Sequence, residues 1–195
     1  MLASANPDKV AEMELLLEGV AEVLPRPIDL PDVVEDGGTL EANARLKAVA
    51  VCSATGLAAV ADDTGLFVDA LAGEPGARSA RFAGEDASYS DNLEMLLREL
   101  GGTPAGMRTA RFRTVVMVHY PDGRELIATG TVEGHIAEVP SGTGGFGYDP
   151  VFVPIEGDGA TFAEMGDDKH RFSHRGRALR ALVSMLNTPP VSEAG

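Results

Sequence analysis

The sequence predicts a single α/β domain in which helices flank a central sheet of mixed strand pairing. Three observations support this fold class. Helical periodicity recurs in several separate segments, an unbroken apolar run fits a strand buried on both faces, and two further strands are joined by a Pro-Asp-Gly turn. With 195 residues, 44% of them hydrophobic, the chain is long enough to bury one substantial core.

The first half is predicted to alternate helices with short strands. The expected elements are a strand stub over 1–4, a helix over 7–18, a short strand over 20–24, a helix over 39–55 and a strand over 57–61. Pro7 suits the first turn of its helix, and Gly19 and Gly56 suit helix ends. The last strand is expected to stop at Asp62 and Asp63, which would place an acidic pair at a strand end.

The second half is predicted to hold an amphipathic helix, a hairpin and a final helix. The expected elements are a helix over 88–100, strands over 110–120 and 125–132, a glycine-rich loop over 142–147 and a helix that Ser173 caps. The turn between the two strands is Pro-Asp-Gly-Arg over 121–124, a strong hairpin signal. Residues 1–195 are predicted to form one domain, with 188–195 as a frayed tail.

The overall charge restricts the classes of partner. Lys and Arg number 16 and Asp and Glu number 30, so the net charge is −14. Nucleic acids and anionic membranes need clustered cations, so we expect neither as a partner. No apolar run reaches the roughly 18 residues of a membrane-spanning helix, and Cys52 is the only cysteine. These features predict a cytoplasmic protein.

A stretch near the N-terminus has the features of an anion site. Residues 4–9, Ser-Ala-Asn-Pro-Asp-Lys, lie between the first strand stub and the first helix. Free backbone N–H groups at a helix start attract anions, and Lys9 and Ser4 add a cation and a hydroxyl group. The paired glycines of a Walker A loop are missing, and the alternative is a capped surface helix.

The acidic pair Asp62-Asp63, followed by Thr64 and Gly65, suggests a metal site. Two adjacent carboxylates repel each other, and a divalent cation would relieve that repulsion. Mg²⁺ takes one or two carboxylates together with phosphate oxygens and water, and one of the pair can also accept a proton from water. The alternative is an acidic turn in which Gly65 supplies the bend.

Two later segments supply an aromatic loop and a cationic cluster. Phe146 lies between glycines, so its ring can approach a nucleobase closely; a turn over core aromatics is the alternative. His174 and Arg175 follow Ser173 at a helix start, with Lys169 just before them. Cations there oppose the helix dipole, which favours a ligand over a purely structural role. A nucleoside triphosphate would use phosphate cations, a metal site and an aromatic loop together.

Six segments, in order, resemble the inosine triphosphatase, or dITP/XTP pyrophosphatase, family. They are residues 2–6, 43–48, 61–66, 75–81, 144–150 and 173–178, and the resemblance covers nearly the whole chain. It implies a long mixed central sheet with an active-site cleft between two lobes, in a protein that forms a homodimer. The implied reaction is Mg²⁺-dependent hydrolysis of deaminated purine nucleoside triphosphates (dITP, ITP, XTP) to the monophosphate and pyrophosphate.

The resemblance also implies roles for individual residues. Asp63 would be the proton acceptor and a metal ligand. The implied substrate-binding residues are Ser4, Ala5, Asn6, Pro7, Asp8, Lys9, Thr64, Phe146, Gly147, Tyr148, Asp149, Lys169, His174 and Arg175. The family usually has a carboxylate directly before Asn43, where this chain has Ala42 and carries Glu41 one place earlier. The second metal ligand is therefore left open between Glu41, Asp62 and water.

Two other functions stay open at this point. The related Maf-like nucleotide pyrophosphatases have an opening similar to residues 2–4, but they have Ser-Pro-Arg where this chain has Asn-Pro-Asp at 6–8. A catalytically silent nucleotide sensor is the second alternative, because the acid at position 42 is missing. Product formation from a panel of nucleoside triphosphates would separate all three.

Overall fold

The computed structural model describes residues 1–187, except the side chains of Asp167 and His170, and this part of the chain forms an α/β domain. Its helices are α1 (Pro7–Leu17), α2 (Leu40–Thr55), α3 (Tyr89–Glu99), α4 (Lys169–Phe172) and α5 (His174–Asn187). Its strands are β1 (Ala59–Val68), β2 (Pro75–Gly76), β3 (Thr109–His119), β4 (Glu125–Ile136) and β5 (Phe152–Pro154). None of the helices in the described part is long and apolar enough to span a membrane. The predicted frayed tail at 188–195 lies outside the described residues.

The strands form one sheet in the order β2-β1-β3-β4-β5, and every neighbouring pair is antiparallel. Within residues 1–187, parallel pairing is limited to a single bridge between Leu2 and Val60. The predicted hairpin is confirmed, since β3 and β4 pair along their whole length and Tyr120 N–H donates to the carbonyl of Arg124. The α/β class is thus confirmed, and the mixed pairing rests on the N-terminal bridge.

Helices cover both faces of the sheet. On one face, α2 packs Ala44, Ala48 and Val51 into a buried cluster that also contains Val115 of β3. On the other face, α1 and α5 share a cluster with Val116, the next residue along β3. Neighbouring strand residues point to opposite faces, so this division follows directly from the pleat of the strand. The cores on the two sides of β3 are therefore separate.

A third cluster lies toward the end of the sheet where β1 finishes. Leu96 and Leu100, at the C-terminal end of α3, pack with Phe112 and Phe152 from the sheet. Ser88 caps α3 through a reciprocal capping box with Asp91, which fixes where the helix begins. This cluster supports the loop that carries the glycine-rich segment.

A glycine on β4 lets α5 rest directly on the sheet. A Cβ atom at Gly130 would lie 2.1 Å from the carbonyl oxygen of His174 and 2.5 Å from the amide nitrogen of Ala178. No larger residue fits this gap without moving the helix. The close approach holds the first turn of α5, with His174 and Arg175, against the sheet.

Two sequence-based expectations were wrong. The strand expected over 57–61 does not stop at the acidic pair, because β1 continues through Asp62 and Asp63 to Val68, paired residue by residue with β3. Residues 20–24 were expected to form a strand but have no strand assignment; Leu24 contributes one backbone hydrogen bond, from Leu2 N–H. In both cases, the presence or absence of a neighbouring strand decides whether the segment forms a strand, and local composition does not reveal that neighbour.

Candidate active site

The site opens at the unpaired edge of β1. One side of β1 pairs with β3, whereas the other side is covered only by the bridge from Leu2 to Val60 and by the pairing of Gly76 with Leu66. Residues 61–65 between these contacts have no strand partner on that side. A cavity of about 380 Å³ lies at this gap, and both Asp63 and Thr64 line it.

Most of the predicted site residues meet in this single cavity. Those that line it are Ser4, Ala5, Asn6, Lys9, Asp63, Thr64, Phe146, Gly147, Tyr148, Asp149, Lys169, His174 and Arg175. Pro7, Asp8, Asp62 and Glu41 do not line it. The acidic residues, the N-terminal lysine and the aromatic glycine loop therefore share one cleft.

Asp63 faces α2 and lies almost fully buried at the cavity wall. The amide of Asn43 donates to its Oδ2 at 3.1 Å, and the ammonium of Lys47 lies 3.5 Å from its Oδ1. Burial raises the pKa of Asp63, and the lowering effects of Lys47 and Lys9 do not cancel that rise. A carboxylate with a raised pKa is better suited to accept a proton near neutral pH than an ordinary one.

Asp62 faces the opposite side of β1, toward α1 and α5. Arg175 donates to its Oδ2 from Nε at 3.1 Å and from Nη2 at 3.0 Å, and the Nζ of Lys9 lies 3.6 Å away. Burial pushes the pKa of Asp62 upward, but Lys9 and Arg175 outweigh it and hold the pKa far below its usual range. Since Asp62 and Asp63 point to opposite faces, they do not form the chelating pair that their adjacency suggested.

Glu41 does not line the cavity. Its carboxylate instead accepts a hydrogen bond from Arg113 at a partly exposed position at the start of α2. Glu35 lines the cavity close to Asp63, since its Oε2 lies 3.2 Å from the Nζ of Lys47, which also contacts Asp63. Among the side chains that the structure describes, which leave out those of Asp167 and His170, no group of three or more His, Cys, Asp or Glu is arranged to hold a metal ion.

The N-terminal loop presents Lys9 to the cavity from the first turn of α1. The side chain of Asn6 caps the helix, and its Oδ1 accepts from the backbone N–H groups of Asp8 and Lys9. The hydroxyl of Tyr89 accepts from the Asn6 amide at 2.9 Å and donates to Asp8 at 3.0 Å. Asp8 itself does not line the cavity, and its contact with substrate stays a prediction.

The glycine-rich loop is held by Asp149. Its Oδ2 accepts from the backbone N–H of Phe146 at 2.9 Å and from the Nζ of Lys169 at 2.8 Å. Gly145 has a φ of 67°, and a Cβ there would lie 2.0 Å from Asp149 Oδ2, so only glycine fits. The Nζ of Lys169 lies 5.0 Å from the centre of the Phe146 ring, which places a cation beside a half-buried aromatic ring that lines the cavity.

Glu12 connects Lys169 and Arg175, the two cations near Phe146. Its carboxylate accepts from Lys169 at 2.9 Å and from Nη1 of Arg175. Next to them, the ring edge of His174 packs on Phe112 at a centroid separation of 4.5 Å, and its Nδ1 is buried without a hydrogen-bond partner among the described residues. Burial and the neighbouring Arg175 lower the pKa of His174 well below its usual value, so the imidazole is neutral.

Sequence reasoning missed four residues of the site: Lys47, Glu35, Glu12 and Tyr89. Lys47 and Asn43 are the polar residues on an otherwise apolar buried face of α2, and a lysine on a buried face is a usable signal for function. Glu12 follows Lys9 by one helical turn and therefore shares its face. Glu35 and Tyr89 reach the site only through folding of the chain, and no sequence pattern identifies them.

Comparison with known proteins gives consistent results. The model of the Ham1 family matches residues 1–185. The dITP/XTP pyrophosphatase of Symbiobacterium thermophilum is 46% identical over 197 residues, covering 100% of this chain and 97% of the relative. The dITP/XTP pyrophosphatase of Thermus thermophilus is 46% identical over 198 residues, covering 97% of this chain and 92% of the relative.

Solved structures agree with the sequence relatives. A HAM1 protein from Coxiella burnetii superimposes with a TM-score of 0.86 at 38% identity, over 95% of this chain and 96% of that protein. The Ham1 protein of Staphylococcus aureus gives a TM-score of 0.83 at 39% identity, with the same coverage of both chains. The matching fold, the family model that covers residues 1–185 and the 46% identity over nearly the full length of a relative show that the chain belongs to the Ham1 family.

Proposed function

We propose that the protein hydrolyses non-standard purine nucleoside triphosphates, such as dITP, ITP and XTP, to the monophosphate and pyrophosphate. The observation that carries this proposal is the composition of one cavity. Lys9, Lys47 and Asp63 all line it, with Lys47 paired to Asp63, and Phe146 and Lys169 line it beside each other. The names of the relatives, dITP/XTP pyrophosphatase, support the same substrate class.

We propose Mg²⁺ as the cofactor, and the available donors fit it. Mg²⁺ typically takes only one or two carboxylates and completes its shell with substrate phosphates and water, so a cluster of three acidic residues is not required. Asp63 would hold the ion, with Glu35 as the second protein ligand in place of the Glu41 or Asp62 suggested by sequence. When bound, Mg²⁺ would neutralise phosphate charge and polarise the scissile anhydride.

The protein side chains divide the work of hydrolysis between them. Asp63 would accept a proton from the attacking water, because its raised pKa suits a general base. A bond forms between the water oxygen and the α-phosphorus, and the bond from the α-phosphorus to the bridging oxygen breaks. Lys9 and Lys47 would stabilise the negative charge that develops on the departing pyrophosphate.

Hydrogen-bond donors of the protein would decide which purine base of the nucleotide is accepted. Inosine and xanthine carry a carbonyl group at position six, which can accept from Lys169 or Arg175. Adenine carries an amino group there, so a donor would face a donor. A mismatch of this kind can lower kcat/KM on the order of 10⁴-fold. Phe146 would contribute a ring against which the base can stack.

We also propose that the protein acts as a cytoplasmic homodimer. Three large apolar side chains, Met107, Val139 and Ile155, are 64%, 70% and 68% exposed, and burial of such side chains would favour self-association. The isolated, buried Cys52 is compatible with a reducing compartment. Light scattering across a concentration series would test the dimer, and a concentration-independent monomer mass would exclude it.

A substrate panel tests the proposed activity. Monophosphate formation is measured with dITP, ITP, XTP, GTP, ATP and UTP, each with Mg²⁺ and with a chelator. The proposal predicts turnover of the first three only, and only with the metal. A preference for other nucleotides would favour the Maf-like alternative. Tight binding of ITP without any product would instead identify a nucleotide sensor.

A further inference from the structure

Asp62 is buried behind the cavity, where two cations of the site share it. Its side chain has no solvent exposure and does not line the cavity. Arg175 donates two hydrogen bonds to its Oδ2, and Lys9 lies 3.6 Å from the same oxygen. Its other oxygen, Oδ1, has no hydrogen-bond partner among the described residues. The hydroxyl of Thr64 also donates to Oδ2, at 3.4 Å, so the charged contacts of this carboxylate among the described residues are those with Lys9 and Arg175.

The two cations belong to different parts of the site. Lys9 lies in the first turn of α1 and belongs to the segment 4–9 that is proposed to bind phosphate. Arg175 lies on α5, with its guanidinium 5.7 Å from the centre of the Phe146 ring. Both line the cavity. Asp62 therefore connects the region that would hold the triphosphate to the region that would hold the base.

We propose that Asp62 is a positioning residue that couples recognition of the triphosphate to recognition of the base. This inference rests on the proposed function and adds to it a thermodynamic link between the two ends of the substrate. When phosphate draws Lys9 away, Arg175 is the cation that stays in contact with Asp62, beside the hydroxyl of Thr64, and the carboxylate fixes its guanidinium more firmly. By reciprocity, a base that engages Arg175 leaves Lys9 better placed for phosphate. Burial strengthens both effects, because a low dielectric screens charges weakly.

The coupling can be measured with two separate fragments of the substrate. Inosine supplies the base end and inorganic pyrophosphate supplies the phosphate end, and each is used as an inhibitor of monophosphate formation from ITP. Double-inhibition analysis gives the factor by which one inhibitor strengthens binding of the other. For the native protein we expect a factor of about five or more, which is typical of a coupled pair of sites.

The substitution Asp62→Asn keeps the size of the side chain and removes its charge. We expect the factor to fall to about one, together with a higher KM for ITP and a smaller ratio of ITP to ATP turnover. Asp69→Asn is the matched control, since Asp69 is exposed and pairs with Arg111 away from the cavity. A native-like factor in a folded D62N variant would overturn the proposal, and so would a factor of one in the native protein.

Two additions keep the test decisive. Should D62N lack a cooperative unfolding transition, Asp62→Glu replaces it, because the charge is retained but displaced by one methylene; an unchanged factor in D62E contradicts the proposal. Calorimetric titration of pyrophosphate with and without inosine measures the same factor without turnover. An inactive native protein would refute the proposed function, whereas the calorimetric factor would still decide the role of Asp62.

Discussion

Asp62 and Asp63 are adjacent in sequence, yet their carboxylates lie on opposite faces of β1. Asp63 contacts Asn43 and Lys47 of α2, and Asp62 contacts Lys9 and Arg175. Their pKa values shift in opposite directions, upward for Asp63 because of burial and downward for Asp62 because the two cations outweigh burial. Environments that separate the pKa values of two carboxylates commonly mark different chemical roles. Here they favour Asp63 as the base and Asp62 as a permanent anion.

Replacing Asp63 with Asn should remove turnover without unfolding the protein. Loss of a general base typically costs on the order of 10³-fold in rate. Because the folded-state pKa of Asp63 is raised, its ionised form disfavours folding above that pKa, and the neutral amide should unfold at the same or a higher temperature. Steady-state rates and thermal unfolding are measured on the same preparation.

Asp122→Asn, on the exposed hairpin turn, is a suitable control for the loss of one carboxylate. It should retain the native rate. Near-native turnover of D63N would refute the assignment of Asp63, and a large drop in its unfolding temperature would show that the carboxylate instead stabilises the fold.

Replacing Lys47 with Met should change the pH dependence of the reaction. Lys47 lowers the pKa of Asp63 by its charge, so its removal should raise that pKa further. The base must be ionised, so activity falls as pH decreases through its pKa, and the acid limb of kcat/KM should move to higher pH. Arg45→Met, an exposed change on the same helix, should leave that limb in place. An acid limb that does not move in K47M would contradict the pairing of Lys47 with the base.

Replacing Gly145 with Ala should destabilise the aromatic loop. A Cβ at this position meets Asp149 Oδ2 at 2.0 Å, and the left-handed backbone adds strain, so we expect a loss of about 2 kcal/mol in unfolding free energy. Gly147→Ala is the comparison, since Gly147 is also left-handed but its Cβ would meet nothing within 4 Å; it should lose only about 1 kcal/mol. Urea unfolding measures both, and equal losses would contradict the packing argument.

Replacing Lys169 with Met should weaken discrimination between bases. The ammonium lies beside Phe146 and is held by Asp149 and Glu12, which places a fixed donor where a base would stack. We expect kcat/KM for ITP to fall by roughly 100-fold, with a much smaller change for ATP. Arg171→Met, exposed on the same short helix, is the control. Equal losses of kcat/KM for ITP and ATP would show that Lys169 does not discriminate between purine bases.

Local sequence patterns predict much of this fold, because helix caps, the hairpin turn and amphipathic periodicity act over a few residues. The end of β1 could not be predicted, since an acidic pair inside a strand is tolerated only where Lys47 on one face and Arg175 on the other compensate it. Both partners are distant in sequence. The position of the acidic pair was therefore misjudged although its importance was recognised.

In the candidate site, too, contacts between residues that are distant in sequence could not be predicted from local patterns. Ser4 to Lys9 and Phe146 to Asp149 are contiguous segments, and their composition alone identifies them. Glu12 contacts Lys169 across 157 positions of sequence, and only folding brings the two together. The expectation for Glu41 likewise depended on where α2 begins, and its ion pair with Arg113 directs it away from the cavity.

Water is expected to attack the α-phosphorus of the nucleotide, and hydrolysis of ITP in water labelled with heavy oxygen identifies the phosphorus that is attacked. Mass spectrometry then locates the label in the products. Inosine monophosphate with one labelled oxygen and unlabelled pyrophosphate, formed in equal amounts, are the products expected from attack at the α-phosphorus. Label in pyrophosphate, or release of labelled orthophosphate with inosine diphosphate, would contradict it.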